Sequence, residues 1–282
     1  MVSWPDLGSR VTVRYRRPAG SVPPLTDVIG HLLEITPVVR VRTKTGAEVN
    51  VDPGDVVALR TLSDQPVRAS QIRALEYADA MSWPGTERLW LDGWLLRAAH
   101  GSTDQANSAV PLDPSASLAA IPAIIEWYSN RGLTPLLAVP DRLLRLGVPG
   151  GHSNRVLVRD VHTGEFDPAL PLAATPRGVQ PVPEAELTAV DGELMFGTQS
   201  DTAVRASVTD APDGVRWVGL SAVGAATPEL CEALLAWGAS RGATRGYIRV
   251  RDDDRVAADL AGSLGFVLHH HARYVTATTI NT

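Results

Sequence analysis

One pattern occurs twice in this chain, and it limits the possible folds more than any other feature. Trp127, Arg131, Gly132 and Thr134 return, with the same internal spacing, as Trp237, Arg241, Gly242 and Thr244. Ser108-Ala109-Val110 stands ahead of the first set and Ser221-Ala222-Val223 ahead of the second. Leu146-Gly147 and Leu264-Gly265 stand behind them. Three matched segments in the same order imply two copies of a strand–helix–strand–helix unit, with offsets that differ as loop changes would produce.

The 282 residues are enough for about two ordinary domains. With 44% hydrophobic and 20% charged residues, the chain has a globular rather than a disordered balance. Its net charge of −5 gives no basic surplus for phosphate, so no nucleic-acid partner is expected. Arg14, Arg16 and Arg17 alternate with apolar neighbours and read as the solvated face of a strand. The single cysteine, Cys231, lies in an apolar helical stretch and reads as a buried, inert thiol. With no disulfide possible, no apolar run near the ~20 residues of a membrane span and no signal-peptide pattern at the N-terminus, the expectation is a soluble cytoplasmic protein.

Residues 7–62 carry several short alternating stretches: Val11 to Tyr15, Val28 to Glu34, Val38 to Thr43, Glu48 to Val51 and Val56 to Leu59. Turn signals at Thr45-Gly46 and Pro53-Gly54 separate the last three, which suggests a small barrel over 1–62. The order of strands and the Gly8-Ser9-Arg10-Val11 opening resemble an SH3-like barrel. After a linker, Ile72, Leu75, Ala78 and Met81 fall at steps of three and predict a helix over 70–81. A strand pair turning at Asp92-Gly93, a strand over 106–112, a helix over 118–130 ending at Gly132 and a strand over 135–139 complete the first copy, 66–163.

The second copy, 164–282, is predicted as a strand over 216–223, a short loop, and a helix from Pro228 to Ser240 with Thr227 as its N-cap. A strand over 246–251, a helix opening at Asp254 and a last strand over 267–275 follow. The segment Val250 to Phe266, VRDDDRVAADLAGSLGF, resembles the GNAT-superfamily pattern of a strand ending in Val, an acidic helix start, Ala-rich turns and Leu-Gly-Phe. With the preceding strand, loop and helix the likeness covers roughly 193–276. The wider order resembles the bacterial group with an SH3-like barrel and tandem GNAT-like units. The resemblance implies an α/β (α+β) fold of mixed-sheet units after the barrel.

It also implies an acetyl-CoA-dependent N-acetyltransferase acting on a primary amine, from a small molecule or a protein, by direct attack in a ternary complex. Two adjacent parallel strands would splay to pair with the pantetheine amides, with the pyrophosphate at the start of the intervening helix. The implied cofactor residues are Ser221, Ala222, Val223, Gly224, Ala225, Ala226, Thr227 and Asp254. Pro228 has no N–H to offer there. Glu193, at the start of a strand, is the candidate general base, and Tyr274, on the last strand, a candidate acid. The chain departs from the family in its short loop without a basic residue, in Asp254 where Asn is usual, and in Ala261 where a Tyr is common. These departures keep a second reading open: a non-catalytic acyl-CoA-binding sensor or interaction module. His269, His270 and His271 do not predict a metal site, because only alternate strand residues share a face. The first copy is expected not to bind CoA, since Pro111 and Pro114 remove donors and Asp113 repels phosphate.

Overall fold

In the computed structural model of the chain, the described residues are 4–5, 7–62, 67–99, 103–147, 151–164, 172–174, 190–199, 202–221, 223 and 226–280. Contacts divide the chain into two compact units, Met1–Pro66 and Val67–Thr282.

The first unit is one antiparallel sheet of β1 (Arg10–Arg16), β2 (Leu25–Glu34), β3 (Val39–Thr43), β4 (Glu48–Val51) and β5 (Val56–Leu62), in the order β4-β3-β2-β1-β5. Val11, Val13, Val28, Leu32, Val39, Val41 and Val51 close its core. The alternation in β1 sends Val11 and Val13 inward and Arg14 outward. Arg14 meets its cross-strand partner Asp27 through two hydrogen bonds of 2.8 and 2.9 Å. One charge of the basic cluster is therefore neutralised on the strand face.

The second unit contains α1 (Ala69–Ser82), β6 (Glu87–Leu91), β7 (Trp94–Ala98), β8 (Ala109–Pro111), α2 (Ile121–Ser129), β9 (Leu136–Pro140) and β10 (His152–Asp160). Next come β11 (Leu172–Ala173), β12 (Gly192–Gln199), β13 (Thr202–Asp210), β14 (Arg216–Ser221), α3 (Pro228–Ser240), β15 (Arg245–Arg251), α4 (Arg255–Ser263) and β16 (Val267–Thr276). All eleven strands form one mixed sheet, in the order β11-β12-β13-β14-β15-β10-β16-β9-β8-β7-β6.

That order reads almost symmetrically outward from its β10–β16 pair. On one side stand β15, β14, β13; on the other β9, β8, β7. In each half the central pair is parallel, β14 with β15 and β8 with β9, and every other described pairing is antiparallel. The two copies have exchanged strands: β10, which ends the first copy, pairs with β15 of the second, and β16, which ends the second, pairs with β9 of the first. The copies expected over 66–163 and 164–282 therefore share a single sheet. The first copy departs from the expected plan in one respect. Among the described residues between β9 and β10 none is helical; Asp141–Leu143 form a turn, and Leu146 is buried without a helix around it.

Alternation assigns the two faces of the sheet. Val218, Leu220, Ile248 and Val250 pack with α3 and α4, and Leu96, Leu137 and Val139 pack with α2. On the opposite face Val156, Val158, Trp217 and Tyr247 meet α1, as do Leu95, Val110, Ala138 and Tyr274. Helix α1 thus touches strands of both copies. Nearly every residue from Ala74 to Ser82 is buried, so the helix carries no broad polar side.

Candidate cofactor site

Parallel strands β14 and β15 pair from Trp217↔Arg245 to Leu220↔Ile248, and there the ladder stops. Neither strand ends at that point. Ser221 stays with Arg205 of β13, and β15 continues against β10 as far as Asn154↔Arg251. The strands therefore part between Ser221 and the 249–251 segment, each held by its outer neighbour. Among the described residues, the inner edges past Leu220↔Ile248 have no paired strand residue, and their backbone groups can meet an extended amide ligand.

Two glycines let the elements come this close. A Cβ at Gly219 would collide with the Tyr247 phenol ring, which crosses over β14 at the last turn of the ladder. A Cβ at Gly238 of α3 would stand 2.5 Å from Val218 Cβ, so α3 lies directly on β14.

Helix α3 starts as the sequence implies. Thr227 has extended backbone and its hydroxyl accepts from Leu230 N at 3.4 Å, with Pro228 in the first turn. Ala226 N donates to Val223 O at 2.9 Å, between the end of β14 and the cap. Ser221, Val223, Ala226 and Thr227 are thus brought together at the open end of the cleft. Ala222, Gly224 and Ala225 lie outside the described residues. Asp254 is the N-cap of α4, its carboxylate accepting from Ala257 N at 2.9 Å. The helix-start reading of Asp254 holds, and the cap engages that oxygen.

The two candidate catalytic residues lie elsewhere. Glu193 is half-exposed at the start of β12 and pairs with Arg241, the C-cap of α3, at 3.3 Å. It stands at the opposite end of α3 from Thr227. Tyr274 is buried on the α1 face of β16, stacked on His152 with ring centroids 4.9 Å apart. Burial pushes its phenol up to about 12, so it stays neutral. Arg249 reaches towards it, with 6.0 Å between guanidinium carbon and ring centroid. Ala261 is fully buried in the core under α3 and α4.

Sequence reasoning missed a buried ionic group on the α1 face beside the cleft. Arg249, the first β15 residue past the ladder, donates to Glu76 at 2.8 Å and Asp79 at 2.9 Å, and His270 Nε2 lies 2.7 Å from the same Glu76 oxygen. Burial alone would raise the Glu76 carboxyl; Arg249 and His270 outweigh it and hold the group at about 2. Tyr247 OH, Ser82 Oγ and Ser207 Oγ form a hydroxyl chain of 2.9 and 2.8 Å on the same face. Burial drives the Tyr247 phenol well above its usual range. The signal for Glu76 and Asp79 was their i,i+3 spacing within the predicted helix.

The matching loop of the first copy is closed to an anion. Leu112 N and Asp113 N both donate to Gly93 O, Ser115 N donates to the Asp113 carboxylate, and Ala116 N donates to Asp113 O. Pro111 and Pro114 have no N–H. Every amide from residue 111 to 116 is absent or already engaged.

Among the described residues no cluster of His, Cys, Asp or Glu could hold a metal ion. Burial raises the Cys231 thiol to about 12. No helix among the described residues is long and apolar enough to cross a membrane.

Two family models match the chain. One, described as "Rv0428c N-terminal Sm-like domain", covers residues 5–60, where the sequence suggested an SH3-like barrel. The other, "Probable histone acetyltransferase Rv0428c C-terminal", covers 69–275. The Probable histone acetyltransferase Rv0428c of Mycobacterium tuberculosis (strain ATCC 25618 / H37Rv) is 56% identical over 299 residues, spanning 99% of this chain and 98% of that protein. Among solved structures, a GCN5-related N-acetyltransferase from Kribbella flavida aligns with 75% of this chain and 96% of its own, at 13% identity and TM-score 0.46. A putative acetyltransferase of the GNAT family from Novosphingobium aromaticivorans DSM 12444 aligns with 74% and 99%, at 14% identity and TM-score 0.47. The extent of the family match and the 56% identity settle the kinship: the chain belongs to the Rv0428c family, with an N-terminal Sm-like domain and the C-terminal domain of the probable histone acetyltransferase Rv0428c.

Proposed function

We propose that the chain is an acetyl-CoA-dependent N-acetyltransferase that binds its acyl donor between β14 and β15 and acts on a primary amine. The observation that carries this reading is the parting of the two parallel strands after Leu220↔Ile248 while both remain held by their outer partners. The cleft edges fit the amides of an extended pantetheine arm. The start of α3 offers the positive end of a helix dipole. Pro228, which lacks an N–H, and the acidic Glu229 weaken its hold on a pyrophosphate.

When bound, acetyl-CoA supplies a thioester carbonyl carbon open to attack. The chain's residues position the rest. The backbone of Ser221, Val223, Ala226 and Thr227 flanks the cleft and orients the arm. The β14 and β15 edges polarise the carbonyl oxygen through N–H donors. An acceptor nitrogen attacking that carbon would form the C–N bond and expel coenzyme A as its thiolate, which would take up a proton while the amine gives one up to solvent. Positioning and electrostatic preorganisation then supply most of the rate. Tyr274 remains neutral across the working pH range and could only donate a proton. Glu193 is paired with Arg241 at the opposite end of α3 from the cleft, so the base falls to solvent in this reading.

The acceptor in this reading is an unprotonated primary amine, with a protein lysine included because the relative from M. tuberculosis is named a probable histone acetyltransferase. Calorimetry with CoA and acetyl-CoA, followed by thiol release across a panel of amino acids, polyamines and lysine peptides, tests the reading. Binding with acceptor-dependent thiol release is expected. No heat and no thermal shift at millimolar ligand would end it.

A second reading, an acyl-CoA sensor without turnover, has one observation in its favour. The carboxylates nearest the cleft on the α1 face, Glu76 and Asp79, are both engaged by Arg249, and Ala261 stands where the family commonly has a Tyr. It predicts CoA binding with no thiol release on any amine.

A further inference from the structure

Two arginines close the C-terminal end of α1 from opposite halves of the sheet. Arg97 on β7 donates from Nη1 to Trp83 O at 3.2 Å, and Arg205 on β13 donates from Nη2 to Ser82 O at 2.6 Å. Both are buried. The Arg205 guanidinium carbon also lies 3.9 Å from the Trp83 ring centroid. In these bonds each arginine meets the carbonyl-rich, negative end of a helix.

The two positions correspond in the duplicated units. Arg97 donates from Nε to Ser108 O at 3.4 Å and from Nη2 to Ser108 Oγ at 3.1 Å, and Arg205 is the cross-strand partner of Ser221. Ser108 and Ser221 open the two Ser-Ala-Val segments, and the strands read Leu96-Arg97-Ala98 and Val204-Arg205-Ala206. One difference in their surroundings bears on a ligand. Ser108 leads to a loop whose amides are all engaged or absent, whereas Ser221 is the last paired residue on one wall of the open cleft.

Past Leu220↔Ile248 no further pairing with β15 is seen among the described residues, and Ser221 pairs with Arg205 of β13. The side chain of Arg205 ties the same residue to Ser82 and Trp83 of the α1 terminus. We propose that Arg205 is a positioning residue for the acyl-donor cleft: it fixes the β14 wall by clamping β13 to the end of α1, while Arg97 makes the corresponding clamp in a half that binds no cofactor. This inference rests on the reading of the β14–β15 cleft as the acetyl-CoA site. Arg97 serves as an internal control, because it shares burial, helix end and chemistry with Arg205 and differs in the cleft it serves.

The test uses the full-length chain with Arg205→Met, Arg205→Lys and Arg97→Met. Met keeps an apolar stem against Trp83 and removes the charged donors; Lys keeps a charge and a donor but not the planar fork. Three quantities are measured: thermal midpoint, CoA affinity by calorimetry, and hydrogen exchange of the amides of residues 216–221. Arg205→Met and Arg97→Met should both lower the thermal midpoint. Only Arg205→Met should weaken CoA binding, by about tenfold, the effect of one lost charge-assisted hydrogen bond, and speed exchange at Gly219 to Ser221. Arg205→Lys should recover part of both. Equal losses of affinity in the two Met variants, or unchanged affinity and exchange in Arg205→Met, would overturn the proposal. A wild-type chain that binds no CoA, yet shows faster exchange at 219–221 in Arg205→Met alone, would keep the clamp and refute the cofactor reading. If Arg205→Met does not fold, unchanged affinity and exchange in Arg205→Lys would overturn the proposal.

Discussion

Glu76 and Arg249 form an ion pair of 2.8 Å with 2% and 6% side-chain exposure, and it joins α1 to β15 at the first residue past the parallel ladder. A pair this deep is supported by further partners: Asp79 on the arginine and His270 on the glutamate. Removing one member leaves the other charge buried. Glu76→Ala is expected to destabilise the second unit by about 3–5 kcal/mol, measured by chemical denaturation with the midpoint of the first unit as reference. A loss below about 1 kcal/mol would show that water reaches the group.

The same pair sets an acid limit. The Glu76 carboxyl, ordinarily near 4.5, is held at about 2 in the fold. A depressed carboxylate contributes stability above its unfolded value, and that stability drains away as pH falls through the folded value. Glu76 should therefore cost the fold stability progressively between about pH 4.5 and 2, and Glu76→Gln should flatten that limb of a pH–stability curve.

His269 adds a second slope at higher pH. Burial, reinforced by His270, lowers it from 6.5 to about 4. The unfolded chain then binds the proton that the folded chain refuses, so stability is full above about pH 6.5 and falls towards pH 4. His269→Asn should remove the slope between pH 6.5 and 4 and leave the limb below 4.5 in place. An unchanged slope in that variant would assign it to another group.

Gly219 allows the Tyr247 ring to cross β14. Gly219→Val should shift the ring out of line with Ser82 and destabilise the unit by about 1–3 kcal/mol, with a larger loss of CoA affinity than Gly238→Ala causes at matched stability. Both are read by thermal denaturation and calorimetry. Equal affinity losses would mean that overpacking of the core, rather than the wall of the cleft, governs binding.

Hydrogen exchange with and without CoA should show protection at residues 218–221 and 226–231 and none at 110–116. The first loop has its amides engaged by Gly93 and Asp113. Protection confined to 110–116 would move the site to the first copy.

Much of the fold was legible because it is local. Five strand stretches before residue 62, the Asp92-Gly93 hairpin, the Thr227-Pro228 helix start and the Asp254 cap all rest on residues a few positions apart, where alternation, turn chemistry and capping act without the rest of the chain. The duplication was legible too, because it repeats such local signals. Tertiary structure alone decided how the copies join. Nothing near His152–Asp160 states that it will sit between β15 and β16, since strand pairing across some hundred residues depends on which edges remain free once the local units have formed. The roles of Glu76, Arg97, Arg205 and Arg249 were hidden for the same reason. A charged residue in a sequence reads as solvated until a partner arrives from a distant strand, and the low dielectric of a closed core then turns it into a fixed tie. Glu193 stands beside Arg241 because that helix end, rather than the cleft, is what the fold brings to it.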